Sequence, residues 1–143
     1  MKLSQHLVVT GIASAAIMPW YGGESIALFA AGSVLIDVDH YLFYVVRTKR
    51  FDVRGMFRYF DALQDFERHI PYVGLCLFHT IDFFLIVALG AFYYPILLPL
   101  LAGLLFHFVV DLIDLYRKKV PFIRAFFILE HLIRRRGAGY PYC

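Results

Sequence analysis

Three short stretches of the chain combine histidine with aspartate inside otherwise apolar sequence. They are GSVLIDVDH at residues 32–40, FHTID at 78–82 and HFVVDLID at 107–114, and His6 lies near the start. Imidazole nitrogens and carboxylate oxygens are the ligands that zinc and other borderline divalent ions prefer. Because ionisable groups are expensive to bury in apolar surroundings, these stretches predict a functional site.

The spacing within each stretch predicts that its polar side chains share one face of a helix. Residues three or four apart on a helix project to the same side. The residues with this spacing are Asp37 and His40, then His79 and Asp82, and finally His107, Asp111 and Asp114. Asp39 points away from the Asp37 face, so it is predicted to support the site or to act in catalysis.

These residues predict a divalent metal ion, with zinc as the expected ion. The candidate ligands are His6, Asp37, His40, His79, His107 and Asp111. They outnumber the four that one tetrahedral zinc needs, so the surplus residues would orient the ligand histidines or hold a second ion. Asp114 is predicted to orient a ligand histidine. An open coordination position would turn a bound water into a nucleophile, with Asp39 or Asp82 as general base.

The composition places the chain among membrane proteins. Of its 143 residues 61% are hydrophobic, and these residues are gathered into long runs. The net charge of +3 is too small to indicate nucleic acid as a partner, so membrane lipids are the expected partners. The two cysteines indicate neither a disulfide framework nor a cysteine-rich metal site.

The apolar runs predict an all-α fold in one membrane domain, residues 1–143. Spanning helices are expected at about residues 4–21, 25–46, 72–94 and 96–116. The charged segments 52–69 and 121–135 are predicted to be amphipathic helices, which either lie in the interface or pack on the cytoplasmic ends of the bundle. Asp52 is the expected N-cap of the first of these.

The first apolar segment is short for a membrane span. A signal peptide cleaved after Ala13-Ser14-Ala15 is therefore an alternative to a retained helix. The following Pro-Trp-Tyr-Gly-Gly sequence is typical of an interfacial turn with aromatic anchors, which favours retention.

The basic residues predict the topology. Every Lys and Arg precedes the first span, lies between the second and third, or follows the fourth. The positive-inside rule then places both termini and the large loop in the cytoplasm, and the protein in the inner (plasma) membrane. All candidate ligands would lie in the cytoplasmic half of the bundle. Gly103, one turn before His107, is predicted to allow close helix contact.

Together with His6, the three stretches resemble the motifs of the membrane-bound metal-dependent hydrolases, small multi-pass proteins of bacteria and archaea. They are also similar to zinc-dependent phospholipases C, which distribute His and Asp ligands over helices. The resemblance implies hydrolysis and a ligand set of Asp37, Asp39, His40, His79, His107 and Asp111. Two features differ: Ile36 stands where the family often has proline, and its His-Arg-Gly-x-Thr-His-Ser stretch is absent. A membrane-associated ester or phosphoester at the cytoplasmic leaflet is the expected substrate.

Other functions are compatible with the same residues. The His and Asp residues can form a structural hydrogen-bonded or metal cluster, or a relay for protons or ions. His79 and His107 can be the axial ligands of a haem. His69 and His131 lie in charged segments and are expected to be surface residues. Arg54 and Arg58 can bind lipid phosphate or form a solvated face.

Overall fold

The computed structural model describes residues 3–66 and 74–137, and the regular elements of these residues are helical. The α-helices are α1 (Leu3–Ile17), α2 (Gly23–Leu35), α3 (Val38–Thr48), α4 (Val53–Phe66), α5 (Ile81–Tyr93), α6 (Leu98–Arg117) and α7 (Ile128–Gly137). Single 3-10 turns, Leu77–His79 and Pro95–Leu97, precede α5 and α6. The predicted all-α fold class is therefore confirmed.

The helices belong to two compact units. The first unit contains the residues up to Ile36 together with Phe83–Asp114. The second unit contains Asp37–Asp82 and the residues from Leu115 onward. Each unit carries part of the predicted site.

Two helical stretches are long and apolar enough to cross a membrane. They are Gly23–Thr48, with 26 residues, and Pro95–Arg117, with 23. The core helix of a soluble protein would be mostly buried, whereas only 28% and 22% of their most apolar windows are buried. The helices α1 and α5 are apolar but have only 15 and 13 residues. Two of the four predicted spans thus have the required length, and a four-span bundle stays a prediction.

The first of these apolar stretches is interrupted within the Asp-x-Asp-His motif. Helix α2 ends at Leu35 and α3 begins at Val38. Between them the carbonyl of Asp37 accepts a hydrogen bond from the His40 N–H at 3.0 Å, an i to i+3 bond that is tighter than α-helix geometry. Asp37 occupies the N-cap position of α3, but its carboxylate makes no capping hydrogen bond there.

Two glycines set the packing of α2 against α6 in the first unit. A Cβ atom at Gly32 would collide with the backbone carbonyl of Leu100, and one at Gly103 would collide with the carbonyl of Phe29. The helices therefore approach backbone to backbone, as small residues allow in membrane proteins. The close contact predicted at Gly103 is confirmed.

Short non-helical segments in the second unit replace two predicted stretches of helix. Ala125 donates its N–H to the carbonyl of Gly74 at 3.3 Å, and Ile81 donates to the carbonyl of Phe126 at 2.8 Å. Gly74 has a φ of 144°, which favours glycine. Residues 74–80 and 121–127 form this pairing together with turns and the 3-10 turn, so α5 begins at Ile81 instead of residue 72, and α7 begins at Ile128 instead of residue 121.

Helix α4 covers the first amphipathic segment, of which residues 67–69 lie outside the described part of the chain. The Asp52 carboxylate accepts hydrogen bonds from the Gly55 N–H and from the Tyr44 hydroxyl, the latter at 2.8 Å. The predicted N-cap is therefore confirmed. The apolar centre of the second unit consists of Phe43, Leu63, Leu115, Val120 and Ile123.

Replacing Gly103 with alanine tests the packing of α2 against α6. The added Cβ has no room against the Phe29 carbonyl, so we expect a loss of about 1–3 kcal/mol in the free energy of unfolding. Gly11→Ala in α1 is the matched control, since nothing lies within 4 Å of its Cβ position. Thermal unfolding in detergent should show a lower Tm for Gly103→Ala only; equal Tm values for both variants would contradict the contact.

The Asp52 cap predicts a dependence of stability on pH. Hydrogen bonds from the Tyr44 hydroxyl and the Gly55 N–H lower the pKa of Asp52 in the folded state. The stabilisation is complete above the ordinary pKa of aspartate, about 3.9, and is lost as the pH falls through the lower folded-state value. We expect the native chain to exceed Asp52→Asn in Tm at pH 7, with the difference shrinking in acid. A difference that does not depend on pH would exclude this role for the charge.

Candidate metal centres

The six predicted ligands come together in two groups of three. The buried group, in the first unit, consists of His6, His107 and Asp111. The motif group, in the second unit, consists of Asp37, His40 and His79. In each group the candidate ligand atoms lie within 4.8 Å of one another, so each group can hold a metal ion. The sequence predicted a single site, whereas the structure places three of the six predicted ligands in each unit.

Helices α1 and α6 build the buried group. His6 Nε2 lies 3.1 Å from Asp111 Oδ1, and His107 Nε2 lies 3.9 Å from Asp111 Oδ2. The two imidazole rings are stacked, with centroids 4.0 Å apart and planes 12° from parallel. All three side chains are almost completely buried. Solvent therefore has little access to this group.

A backbone carbonyl sets the tautomer of His107. His107 Nδ1 lies 2.6 Å from the carbonyl oxygen of Ser33. Because a carbonyl only accepts hydrogen bonds, Nδ1 carries the proton, and in the neutral ring Nε2 keeps its lone pair on the side of Asp111. Metal-binding histidines are commonly oriented through the opposite nitrogen in this way. The Ser33 hydroxyl also bonds to the hydroxyl of Thr10 at 2.6 Å, which links α1 with α2.

The motif group combines the helix break with the 3-10 turn before α5. His40 Nδ1 lies 3.2 Å from Asp37 Oδ1, and His79 Nε2 lies 3.8 Å from the same oxygen. The side chains of Asp37 and His40 are 20% and 14% exposed, whereas that of His79 is 5% exposed. One side of the motif group is therefore accessible.

Asp39 lies next to the motif group and holds His79. Its Oδ2 atom accepts a hydrogen bond from the Phe78 N–H at 3.0 Å and lies 2.9 Å from His79 Nδ1. Since an ionised carboxylate only accepts, His79 donates through Nδ1 and presents Nε2 towards Asp37. Asp39 Oδ1 lies 2.9 Å from His40 Nδ1, so the carboxylate of Asp39 contacts both histidines of the motif group.

The charges of the motif group and Asp39 fit a cation. Two carboxylates and two neutral imidazoles give −2, and the Arg124 guanidinium, which acts electrostatically on His40, reduces this to −1. Burying uncompensated carboxylates is unfavourable. A divalent ion held by Asp37, His40 and His79 would offset this charge. The residues present therefore fit such an ion.

Besides Asp39, two further predicted residues lie outside both groups. The Asp82 carboxylate accepts a hydrogen bond from the Ile128 N–H at 2.8 Å, so it stabilises the start of α7. It follows the 3-10 turn that contains His79, so the two residues do not share a helix as predicted. Asp114 is half-buried on α6, and no metal-capable group of the described residues includes it.

Sequence reasoning missed Cys76. Its thiol is buried and forms a further metal-capable set with Asp39 and His40. The count of two cysteines argued against a cysteine-rich site. However, Cys76 lies three positions before His79, and this spacing could have indicated that the thiol lies near the same site. His131 lies on α7 and in no metal-capable group of the described chain, and His69 lies outside the described residues.

The chain was compared with models of protein families, with curated proteins and with solved structures, and none of these comparisons found a match. The resemblance to membrane-bound metal-dependent hydrolases thus stays a prediction from short motifs. Function has to be inferred from the chemistry of the two groups.

Removing the charge of Asp39 tests its hold on His79. Asp39→Asn removes the negative charge that strengthens the hydrogen bond from His79 Nδ1, so we expect zinc affinity to fall by roughly 10–100-fold. Asp82→Asn is the control because Asp82 lies outside both groups. Competition of the purified variants with a zinc indicator measures both affinities. An unchanged affinity in Asp39→Asn would exclude this positioning role.

Proposed function

We propose that the protein is a membrane-embedded, metal-dependent hydrolase with the motif group as its reaction centre. The observation that carries this proposal is the convergence of Asp37, His40 and His79 on one partly exposed position. Asp39 supports this position by accepting a hydrogen bond from His79 Nδ1, the ring nitrogen opposite to the proposed ligand atom. Catalytic metal sites typically combine three protein ligands with one open position and an orienting shell.

Solvent access distinguishes the proposed roles of the two groups. Structural metal sites are closed, and catalytic sites keep a position for water or substrate. His6, His107 and Asp111 are nearly inaccessible, so we assign the buried group to a structural role in joining α1 to α6. Asp37 and His40 are partly exposed, so we assign the chemistry to the motif group.

The residues of the motif group divide the work of the proposed reaction. A bound divalent ion, with zinc as our proposal, would activate water and polarise the ester or phosphoester. Asp37, His40 and His79 would hold the ion, and Asp39 Oδ2 keeps the ring of His79 in place. Asp39 Oδ1, which lies 2.9 Å from the proposed ligand His40, is the oxygen we assign to accept the proton of the attacking water.

The surface of the helices supports a location in the membrane. Large apolar side chains are exposed along α5 and α6, namely Leu85, Ile86, Leu89, Phe92, Leu98, Leu105, Val109 and Ile113. Exposed apolar surface on this scale is typical of contact with lipid. We propose a multi-pass protein of the inner membrane with cytoplasmic termini, acting on a membrane-associated ester or phosphoester.

One observation favours a second candidate, a structural cluster without an ion. Arg124 supplies positive charge near His40 and offsets part of the charge of Asp37 and Asp39. Polar groups that satisfy one another can hold membrane helices in register. In that case the protein would contain no stoichiometric metal in the motif group.

Metal analysis combined with a hydrolysis assay tests the proposal. The full chain, purified in detergent and loaded with zinc, would be assayed against a p-nitrophenyl ester and bis-p-nitrophenyl phosphate in mixed micelles. We expect Asp37→Asn and His40→Gln to lose the ion of the motif group and at least about 100-fold in kcat/KM. His131→Gln, outside the described groups, should behave as the native chain.

The outcomes separate the two candidates. Stoichiometric zinc that depends on Asp37 and His40, with hydrolysis that depends on the same residues, supports the hydrolase. Zinc that depends on these residues without hydrolysis of either substrate class contradicts it and indicates a structural metal site. Native protein that takes up no zinc supports the metal-free cluster.

A further inference from the structure

A polar pocket lies at the corner between α3 and α4, in the second unit. Its volume is about 500 Å³. The lining residues are Tyr44, Thr48, Arg50, Asp52, Gly55, Arg58 and Tyr59. None of them belongs to a metal-capable group of the described chain, so the pocket is independent of the proposed hydrolase site.

Hydrogen bonds hold the backbone of this corner in place. Thr48 Oγ1 donates to the Tyr44 carbonyl at 2.8 Å and accepts from the Arg50 N–H at 3.2 Å. Lys49 between them adopts a left-handed conformation, with a φ of 57°. On the other side, Asp52 links Tyr44 to the first turn of α4. The pocket is therefore a formed feature of the fold.

Glycine at position 55 leaves space for the side chains of Asp52 and Tyr44 in this arrangement. A Cβ atom there would collide with the Asp52 carboxylate and the Tyr44 hydroxyl. The absent side chain leaves the Asp52 carboxylate room to accept from the Tyr44 hydroxyl and the Gly55 N–H. Asp52 is thus engaged in holding the pocket wall, and the positive groups remain to meet a ligand.

The net positive charge of the lining residues favours an anion as the ligand. Arg50 and Arg58 contribute +2 and Asp52 contributes −1, which leaves the pocket at +1. Both arginines are exposed. A guanidinium presents paired N–H donors that match two oxygens of a phosphate.

We propose that this pocket binds the phosphate of an anionic membrane lipid. The neighbouring sequence argues for a lipid as the source of the phosphate, because Phe51, Val53 and Phe57, which lie between Arg50 and Arg58 along the chain, are exposed. An amphipathic helix in the interface buries such residues at the acyl boundary while its basic groups meet the headgroups. Arg50 and Arg58 would hold the phosphate, and Phe51 and Val53 would contact the lipid chains.

Binding of defined lipids to the full chain tests this site. Calorimetric titration in detergent would use short-chain phosphatidic acid, the matching phosphatidylcholine and inorganic phosphate. Sodium chloride at about 0.5 M screens diffuse surface attraction. We expect phosphatidic acid to bind, with Kd raised roughly tenfold by Arg58→Gln and roughly fivefold by Arg58→Lys, which keeps the charge without the planar fork. Arg54→Gln is the matched control, since Arg54 is exposed on α4 but does not line the pocket.

Each outcome decides the proposal. Phosphatidic acid that binds with dependence on Arg58 but not on Arg54 supports the lipid site. Inorganic phosphate that binds as tightly, with the same dependence, confirms the phosphate chemistry but overturns the lipid as its source. Equal losses in Arg54→Gln and Arg58→Gln would show diffuse charge attraction and overturn the pocket, as would the absence of binding by the native chain.

Discussion

The desolvation of imidazole and carboxylate groups is the constraint on which this structure depends. A buried polar group without a partner is strongly unfavourable, and the penalty grows where the surroundings are apolar. His107 meets it through the Ser33 carbonyl, and His79 meets it through Asp39. The first contact occurs where Gly32 and Gly103 let α2 and α6 approach closely, and the second occurs beside the break between α2 and α3. In each unit, a local feature of the backbone thus lies beside the hydrogen bond that fixes the tautomer of one histidine.

The sequence predicted those features that depend on residue type alone. Ionisable residues are so rare in apolar runs that His6, His107 and Asp111 are recognisable as candidate partners from the amino-acid sequence. Gly103 and Asp52 were also predicted correctly, because close helix contact and N-capping are local requirements of small and short acidic residues. Hydropathy and length also predicted the two long apolar helical stretches, Gly23–Thr48 and Pro95–Arg117.

The remaining features depend on tertiary pairing that periodicity does not report. The sequence-based depths of the candidate ligands assumed unbroken helices, but α3 begins at Val38 and the backbone is extended at Thr80. Pairing of Gly74 with Ala125 and of Ile81 with Phe126 uses backbone groups that any sequence possesses. The same pairing brings Asp82 to the start of α7 instead of to the metal ligands.

X-ray absorption at the zinc edge tests the central claim, that the motif group holds a divalent ion, most directly. With the buried group removed by His107→Gln, the account predicts a first shell of nitrogen and oxygen at about 2.0–2.2 Å with scattering from two imidazoles, and the loss of this shell in His40→Gln, which releases the ion. A sulfur shell at about 2.3 Å would instead assign the ion to Cys76. That shell, or a spectrum of solvated zinc that His40→Gln leaves unchanged, would contradict the account.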